Sequence, residues 1–413
     1  MNALIKKIKD EFNGYSKNVR IALAIMFFLA AGFIVFGIQI LFWGLGYTDM
    51  NNSYPFGQWI IGDLGLVALG GGAFTTGFIL YIFRNDQLEP MINSTVLLGF
   101  LCYLFTFIYL VFDIGQPLRA WFGYTYPNWG PGLLPASMLT EVVWCLTFYF
   151  MILFVELIPV ALKHKILDKI PVLHYIGHYL HRLMWIFAAA GTFLSFFHQG
   201  SLGGGMWGVM YAKPTWFSPH FFYLAIVGAI AGGTSFMALC AYLAGTVMKK
   251  EVVPAGTFYS IAKISGTMML FYLAFRIYDL AVRIGTYVPL FDRRFINLLS
   301  PAYGWLCFIE LIFAAAAIVM LLVKRYREQE KFFLIGVASG TLAIIASKLS
   351  IVLNGSAAPN FPWKQFIAYN PTIQEWFIML GGLSIMAMVY MWCAKYLPLF
   401  PHAEKHGQQE GGA

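Results

Sequence analysis

Four residues of this chain have the chemistry to hold and pass protons: Asp63, Asp113, Glu141 and His198. Each stands within, or at the end of, a long apolar stretch. An ionisable side chain in hydrocarbon costs a few kcal/mol by insertion scales, so each one retained there is a functional candidate. Asp63 falls about two turns and Glu141 about one turn below the same membrane surface, with Asp113 and His198 at helix ends on that surface. Carboxyls and an imidazole from four successive helices at one level suit a quinone head group. Reduction of a quinone takes up electrons and protons together, and its carbonyl oxygens need donors beside an apolar slot for the tail. Gly70-Gly71-Gly72 and Gly203-Gly204-Gly205 allow helices or loops to approach such a ring. Taken singly, His198 and Asp113 also read as interfacial residues; Asp63 is the hardest to explain that way.

A second set follows further along the chain: Arg276 with Asp279, spaced i, i+3 on one helix face, then Glu310 and Lys348. Glu310 lies about 16 Å into its apolar block and needs Arg276, Lys348 or water as a partner. This set reads equally as a proton or ion path and as a structural ion-pair network. Glu156 sits near the other end of the helix that carries Glu141, with Thr147 between them, so a proton route from the opposite face is conceivable.

The elements that must position these groups are membrane helices. Hydrophobic residues are 60% of the 413 positions and charged residues 11%, too few to cover a soluble surface. Apolar blocks of spanning length lie near 21–43, 57–83, 92–112, 137–162, 181–198, 220–247, 257–281, 299–323, 332–353 and 374–397, giving an all-α polytopic protein of about ten spans. The first block is too long for a cleaved signal peptide and reads as a retained span. With the N-terminus inside, 18 of the 27 Lys and Arg fall in inside segments and 6 outside, a bias that puts both termini in the cytoplasm. The net charge of +8 is then a topology signal and gives no reason to invoke nucleic acid.

Cys102, Cys145, Cys240, Cys307 and Cys393 stand singly in different blocks, without the spacing of a cluster, zinc or c-type haem site, and read as buried free thiols. The outside segments 113–136, 199–219, 283–298 and 354–375 are long and rich in Gly, Pro and aromatics, among them Tyr124, Tyr126, Trp129, Trp207, Trp216 and Trp363. They suggest a platform for another protein. The polar, Gly-rich tail after Pro398 reads as disordered. A faint internal echo, Asp113 with Arg119 and then Glu141 against Asp279 with Arg283 and then Glu310, suggests two related four-helix units. A single haem between His198 and His220 and, from another class, a secondary transporter remain as alternatives.

The runs YPFGQWIIGDLG from Tyr54, FDIGQPLRAW from Phe112, LTEVVW around Glu141, FVELIP around Glu156 and FFHQGSLGG around His198 extend the reading, as does the closing pattern from Phe361 to Pro398. In order over nearly the whole chain, they resemble the NrfD/PsrC family of quinone-interacting membrane subunits. Within it they resemble the ten-helix members of menaquinone reductase and periplasmic nickel–iron hydrogenase complexes.

The resemblance implies two four-helix bundles, with one flanking helix at each end. The divisions are 1–50 for the cytoplasmic N-terminus and first helix, 51–200 for the bundle with the quinone site, 201–355 for the second bundle and 356–413 for the last helix and tail. It further implies a bacterial inner-membrane subunit for anaerobic respiration, without haem, iron–sulfur cluster or metal of its own, that passes electrons to menaquinone. Its implied partners are a periplasmic ferredoxin-like iron–sulfur subunit, a molybdopterin-type subunit and a multihaem cytochrome c; the hydrogenase and polysulfide-type complexes are the rival settings. Asp63, Asp113, Glu141, His198 and Gln199 are the implied quinone residues, with Glu156, Arg276, Asp279 and Glu310 as further polar positions. Where the family has Asp-x-Gly-Arg-Pro, Gln116 replaces the arginine, and Arg119 is the nearest basic residue.

Overall fold

Helices account for the chain from one end of the described region to the other. The computed structural model describes residues 14–52, 54–115, 117–125, 138–162, 170–211, 213, 215–287, 298–359 and 365–400. Among them the only strand-like feature is a single bridge between Asn51 and Tyr54. The helices are α1 (Lys17–Trp43), α2 (Ile60–Tyr81), α3 (Ile92–Asp113), α4 (Met138–Leu162), α5 (Pro171–Arg182), α6 (Met184–Gly200), α7 (Phe221–Met248), α8 (Ala255–Val282), α9 (Trp305–Leu322), α10 (Glu330–Leu349) and α11 (Ile373–Tyr396). Among the described residues nine helices are long and apolar enough to cross a membrane, and the pair α5 and α6, bent by 55°, brings the number to ten if it is counted as one span. The chain is a polytopic membrane protein.

Neighbours in sequence are mostly neighbours in space. α2 packs on α3 and α6, and α4 on α3 and α6; α7 packs on α8 and α10, and α9 on α8 and α10. The two groups meet where α2 crosses α7. At that crossing a Cβ on Gly72 would lie 2.3 Å from the carbonyl carbon of Gly233, so only glycine lets the two backbones touch. The first and last helices, α1 and α11, pair with each other, and α11 lies against α3. α1 turns Phe27, Phe28, Val35 and Phe42 outward, as expected of a flank bathed in lipid.

The connections that follow α1, α3, α6, α8 and α10 gather at one end of the molecule; this is the long-loop face. Tight turns such as 249–254 and 323–329 form the opposite, short-loop face. Two expectations change here. Residues 201–208, read as loop, continue α6 as a π-helical segment, Ser201–Gly208. Its glycines oppose helix by intrinsic preference, but they serve packing: a Cβ on Gly203 would fall 2.5 Å from the Phe221 carbonyl oxygen. The span near 181–198 also begins later, at Met184, because Pro171–Arg182 forms its own helix with no buried residue.

Candidate functional site

Just beneath the long-loop face, a cavity of ≈ 210 Å³ opens inside the first group of helices. Asp63 from α2, Asp113 from α3 and His198 from α6 all line it, within walls that include Phe56, Leu110, Leu146 and Trp207. Asp63 is 7% exposed and His198 wholly buried. Both ring nitrogens of His198, and Oδ2 of Asp113, are buried without a hydrogen-bond partner. The other oxygen of Asp113 accepts a bond from the Trp59 indole N–H, which fixes the carboxyl at the rim. A buried polar atom left unpaired costs ~1–3 kcal/mol, so this cluster is built to meet a further group.

Glu141 does not line the cavity; it stands behind His198. Its Oε1 is 3.7 Å from His198 Nδ1, too long for a hydrogen bond but close enough to orient an imidazole. The same oxygen accepts from Ser201 Oγ at 2.9 Å and from the Cys145 thiol at 3.5 Å. Cys145 is a free thiol, as expected, but only half-buried, and Glu141, Cys145 and His198 offer ligand atoms within 4.8 Å of one another. Gln199 turns away and donates from Nε2 to the Val67 carbonyl at 2.9 Å, tying α6 to α2. Of the glycine runs, Gly71 passes beside Ser195, and Gly72 meets α7 instead of facing the cavity.

Below the cavity the first group of helices carries hydroxyls whose residue types are too common in membrane helices to stand out in the sequence. Thr106 lines the cavity floor, and Thr106, Tyr103 and Ser195 are buried with no hydrogen-bond partner for their oxygens. Near the short-loop face Glu156, 7% exposed, lines a separate small pocket with Tyr81, Asn93 and His181. Thr147, expected between Glu141 and Glu156, is engaged elsewhere: it donates to Val143 O and pairs with the Tyr124 hydroxyl at 2.7 Å.

The second group of helices holds an ion-pair network, in which Arg283 Nη2 is buried without a hydrogen-bond partner. Arg276 bonds Asp279 at 3.0 Å and Glu310 at 2.8 Å, and Arg283 bonds Asp279 at 3.0 Å. Ser218 donates to Asp279, while the Tyr272 hydroxyl donates to Glu310 at 2.6 Å and lies 2.9 Å from Ser347. Two guanidinium groups meet two carboxylates, so the cluster balances its own charge. Because α9 begins at Trp305, Glu310 lies in its second turn and not deep in the membrane as the apolar block suggested. Lys348 stays outside the network, in a small pocket walled by Leu64, Leu202 and Trp207, three residues that also line the Asp63–His198 cavity.

At the long-loop surface, Gln116 lies outside the described residues, as do Tyr126, Trp129 and Trp363 of the expected platform. Arg119 is exposed. Trp207 and Trp216 point inward, Trp216 donating to Ile351 O at 2.7 Å, so they belong to the scaffold. Leu399 and Phe400, placed in the disordered tail by sequence, are buried, and the tail beyond them lies outside the described residues.

Residues 46–360 match the family model described as "Polysulphide reductase, NrfD". The chain belongs to this family, as its motifs led us to expect. It is 34% identical to the menaquinone reductase integral membrane subunit of Nitratidesulfovibrio vulgaris, over 91% of this chain and 92% of that one. It is 23% identical to a probable Ni/Fe-hydrogenase 2 b-type cytochrome subunit of Escherichia coli, over 88% of both chains. A selenate reductase subunit from Mesobacillus selenatarsenatis is 21% identical over 89% of this chain and 91% of its own length. As for a b-type haem, no cavity among those described is lined by two histidines. His198 faces one cavity and His181 another at the opposite face, and His220 packs edge-on against Tyr278. These positions do not fit a haem held between two imidazoles.

Proposed function

We propose that this chain is the quinone-binding membrane subunit of a respiratory oxidoreductase, and that menaquinone is reduced in the cavity lined by Asp63, Asp113 and His198. The reading is carried by one observation: a wholly buried imidazole with two unpaired nitrogens shares a largely apolar membrane cavity with two carboxyl groups. A quinone ring with a carbonyl at each end matches that demand. His198 donates to one oxygen, and the Asp63 side of the cavity supplies the proton to the other. Glu141 acts at one remove: its carboxylate stands beside Nδ1 of the protonated imidazole, whose Nε2–H is then the donor that faces the ring. Protons reach the site from Glu156 by way of Ser195, Tyr103 and Thr106, hydroxyls with unused bonding capacity. Arg276, Asp279, Glu310 and Lys348 form the polar core of the second bundle, and Lys348 is its link to the cavity wall.

Electrons enter from an iron–sulfur partner seated on the long-loop face; the Lys and Arg bias supports a periplasmic position for that face, with both termini in the cytoplasm of a bacterial inner-membrane protein. Leu118, Trp121, Val209 and Tyr211 are exposed at that face and supply apolar area for docking. The menaquinone reductase relative supports this setting over a hydrogenase one. The test is turnover of the intact complex in liposomes with a reduced donor. His198→Ala is expected to cut quinone reduction at least ~100-fold, the usual share of a positioned acid or base, while the complex still assembles. Undiminished turnover would remove His198 from the mechanism.

A further inference from the structure

Helix α2 and the turn before it have two lined faces. Ile60, Asp63, Leu64 and Val67 border the polar cavity, while Gln58, Ile61, Gly65 and Leu69 border a larger crevice of ≈ 740 Å³ that shares no residue with it. On α11 the crevice is lined from Trp376 to Met391, ~22 Å at the helical rise and so most of the hydrocarbon depth. Its lining contains no Lys, Arg, His, Asp or Glu. Gln58, at its long-loop end, is 4% exposed, and its Oε1 finds no hydrogen-bond partner. Its backbone is fixed, because Gln58 N donates to Glu375 at 2.9 Å. Beside it, a Cβ added to Gly65 would meet nothing within 4 Å.

A long, mostly apolar slot without a cation gives a phosphate head group nothing to pair with. An unpaired amide oxygen at one end calls instead for an uncharged head with an O–H donor. We infer that the crevice is a second lipid site that takes an isoprenoid quinol, its hydroxyl donating to Gln58 Oε1 and its tail lying between α2, α7 and α11. Only the choice of quinol among neutral isoprenoid alcohols rests on the proposed function. The site itself lies on the opposite face of α2 from the reacting cavity.

The test is photolabelling of the purified, reduced complex with a menaquinol carrying a diazirine on its tail, and in parallel with a diazirine phosphatidylethanolamine, followed by peptide mapping. The quinol probe is expected to label the crevice segments of α7 and α11. That labelling should fall at least tenfold in Gly65→Phe, which fills the slot, and severalfold in Gln58→Leu, which removes the acceptor. Gly65→Ala, which meets no neighbour, should label as the parent does and controls for folding, and labelling around His198 should persist in all three. Crevice labelling by the phospholipid alone, or labelling that both variants leave unchanged, would overturn the second site. Labelling of the His198 cavity with none in the crevice would overturn this site and leave the proposed function standing; labelling of neither would remove both.

Discussion

The imidazole of His198 makes no hydrogen bond; on the wall side the Glu141 carboxylate stands 3.7 Å from Nδ1. If Glu141 positions the ring and does not itself meet substrate, Glu141→Gln should lower turnover ~10-fold, less than loss of a positioned acid or base. It should also shift the pH profile of turnover, with Glu141→Asp recovering part of the loss. An unchanged pH profile would make Glu141 merely structural. Tyr103→Phe removes one unpaired buried hydroxyl and keeps the ring, so it should slow turnover without lowering the detergent Tm; equal rates would take Tyr103 out of the proton route. Asp63, Asp113, His198 and Glu156 were legible in the sequence because ionisable groups are rare in hydrocarbon. Trp59, Ser201 and Cys145, which hold Asp113 and Glu141, were not. Their residue types are as common in ordinary membrane-helix packing as at a site, and only the fold brings them to a carboxylate.

Between helices, glycines set how closely α2 can approach its neighbours. Gly72→Leu must push apart two touching backbones, where overpacking alone costs ~1–3 kcal/mol, and the variant should lose Tm or fail to assemble. A Tm equal to the parent's would show the α2–α7 crossing to be looser than described. Glu375, wholly buried in the first turn of α11, gathers N–H donors from Asp49 at 3.0 Å and Gln58 at 2.9 Å and the Tyr369 hydroxyl. Burial and the adjacent Glu375 carboxylate hold the Tyr369 phenol well above its ordinary pKa, which keeps it a donor. Glu375→Ala strands these donors and should destabilise the protein by ~3 kcal/mol or more, read as a lower Tm in detergent. Spans were visible as apolar blocks, but the ends of α6 and α9 were not. Glycine preference and apolar composition argued one way at 201–208 and 299–304, and packing on α7 and a turn before Trp305 decided otherwise.

Over the whole molecule, the described ends of the chain come together: Lys395 Nζ is 3.5 Å from the Tyr15 hydroxyl. With the five native cysteines replaced by serine or alanine, Tyr15→Cys and Leu397→Cys introduced one at a time should therefore react with an impermeant maleimide from one side only, and from the cytoplasmic side if the charge bias sets the topology. Reaction from opposite sides would refute the arrangement of helices. The number of spans followed from hydrophobicity, whereas the crossing of α2 between two helix groups, with a polar cavity on one face and an apolar crevice on the other, needed three dimensions. The most direct test of the central claim is fluorescence quenching of the quinol analogue 2-heptyl-4-hydroxyquinoline N-oxide on binding to the purified complex. We predict saturable binding by the parent and affinity at least ~10-fold weaker in both His198→Ala and Asp63→Asn, about 1.4 kcal/mol or more for each. Parental affinity in both variants would contradict the assignment of this cavity to the quinone.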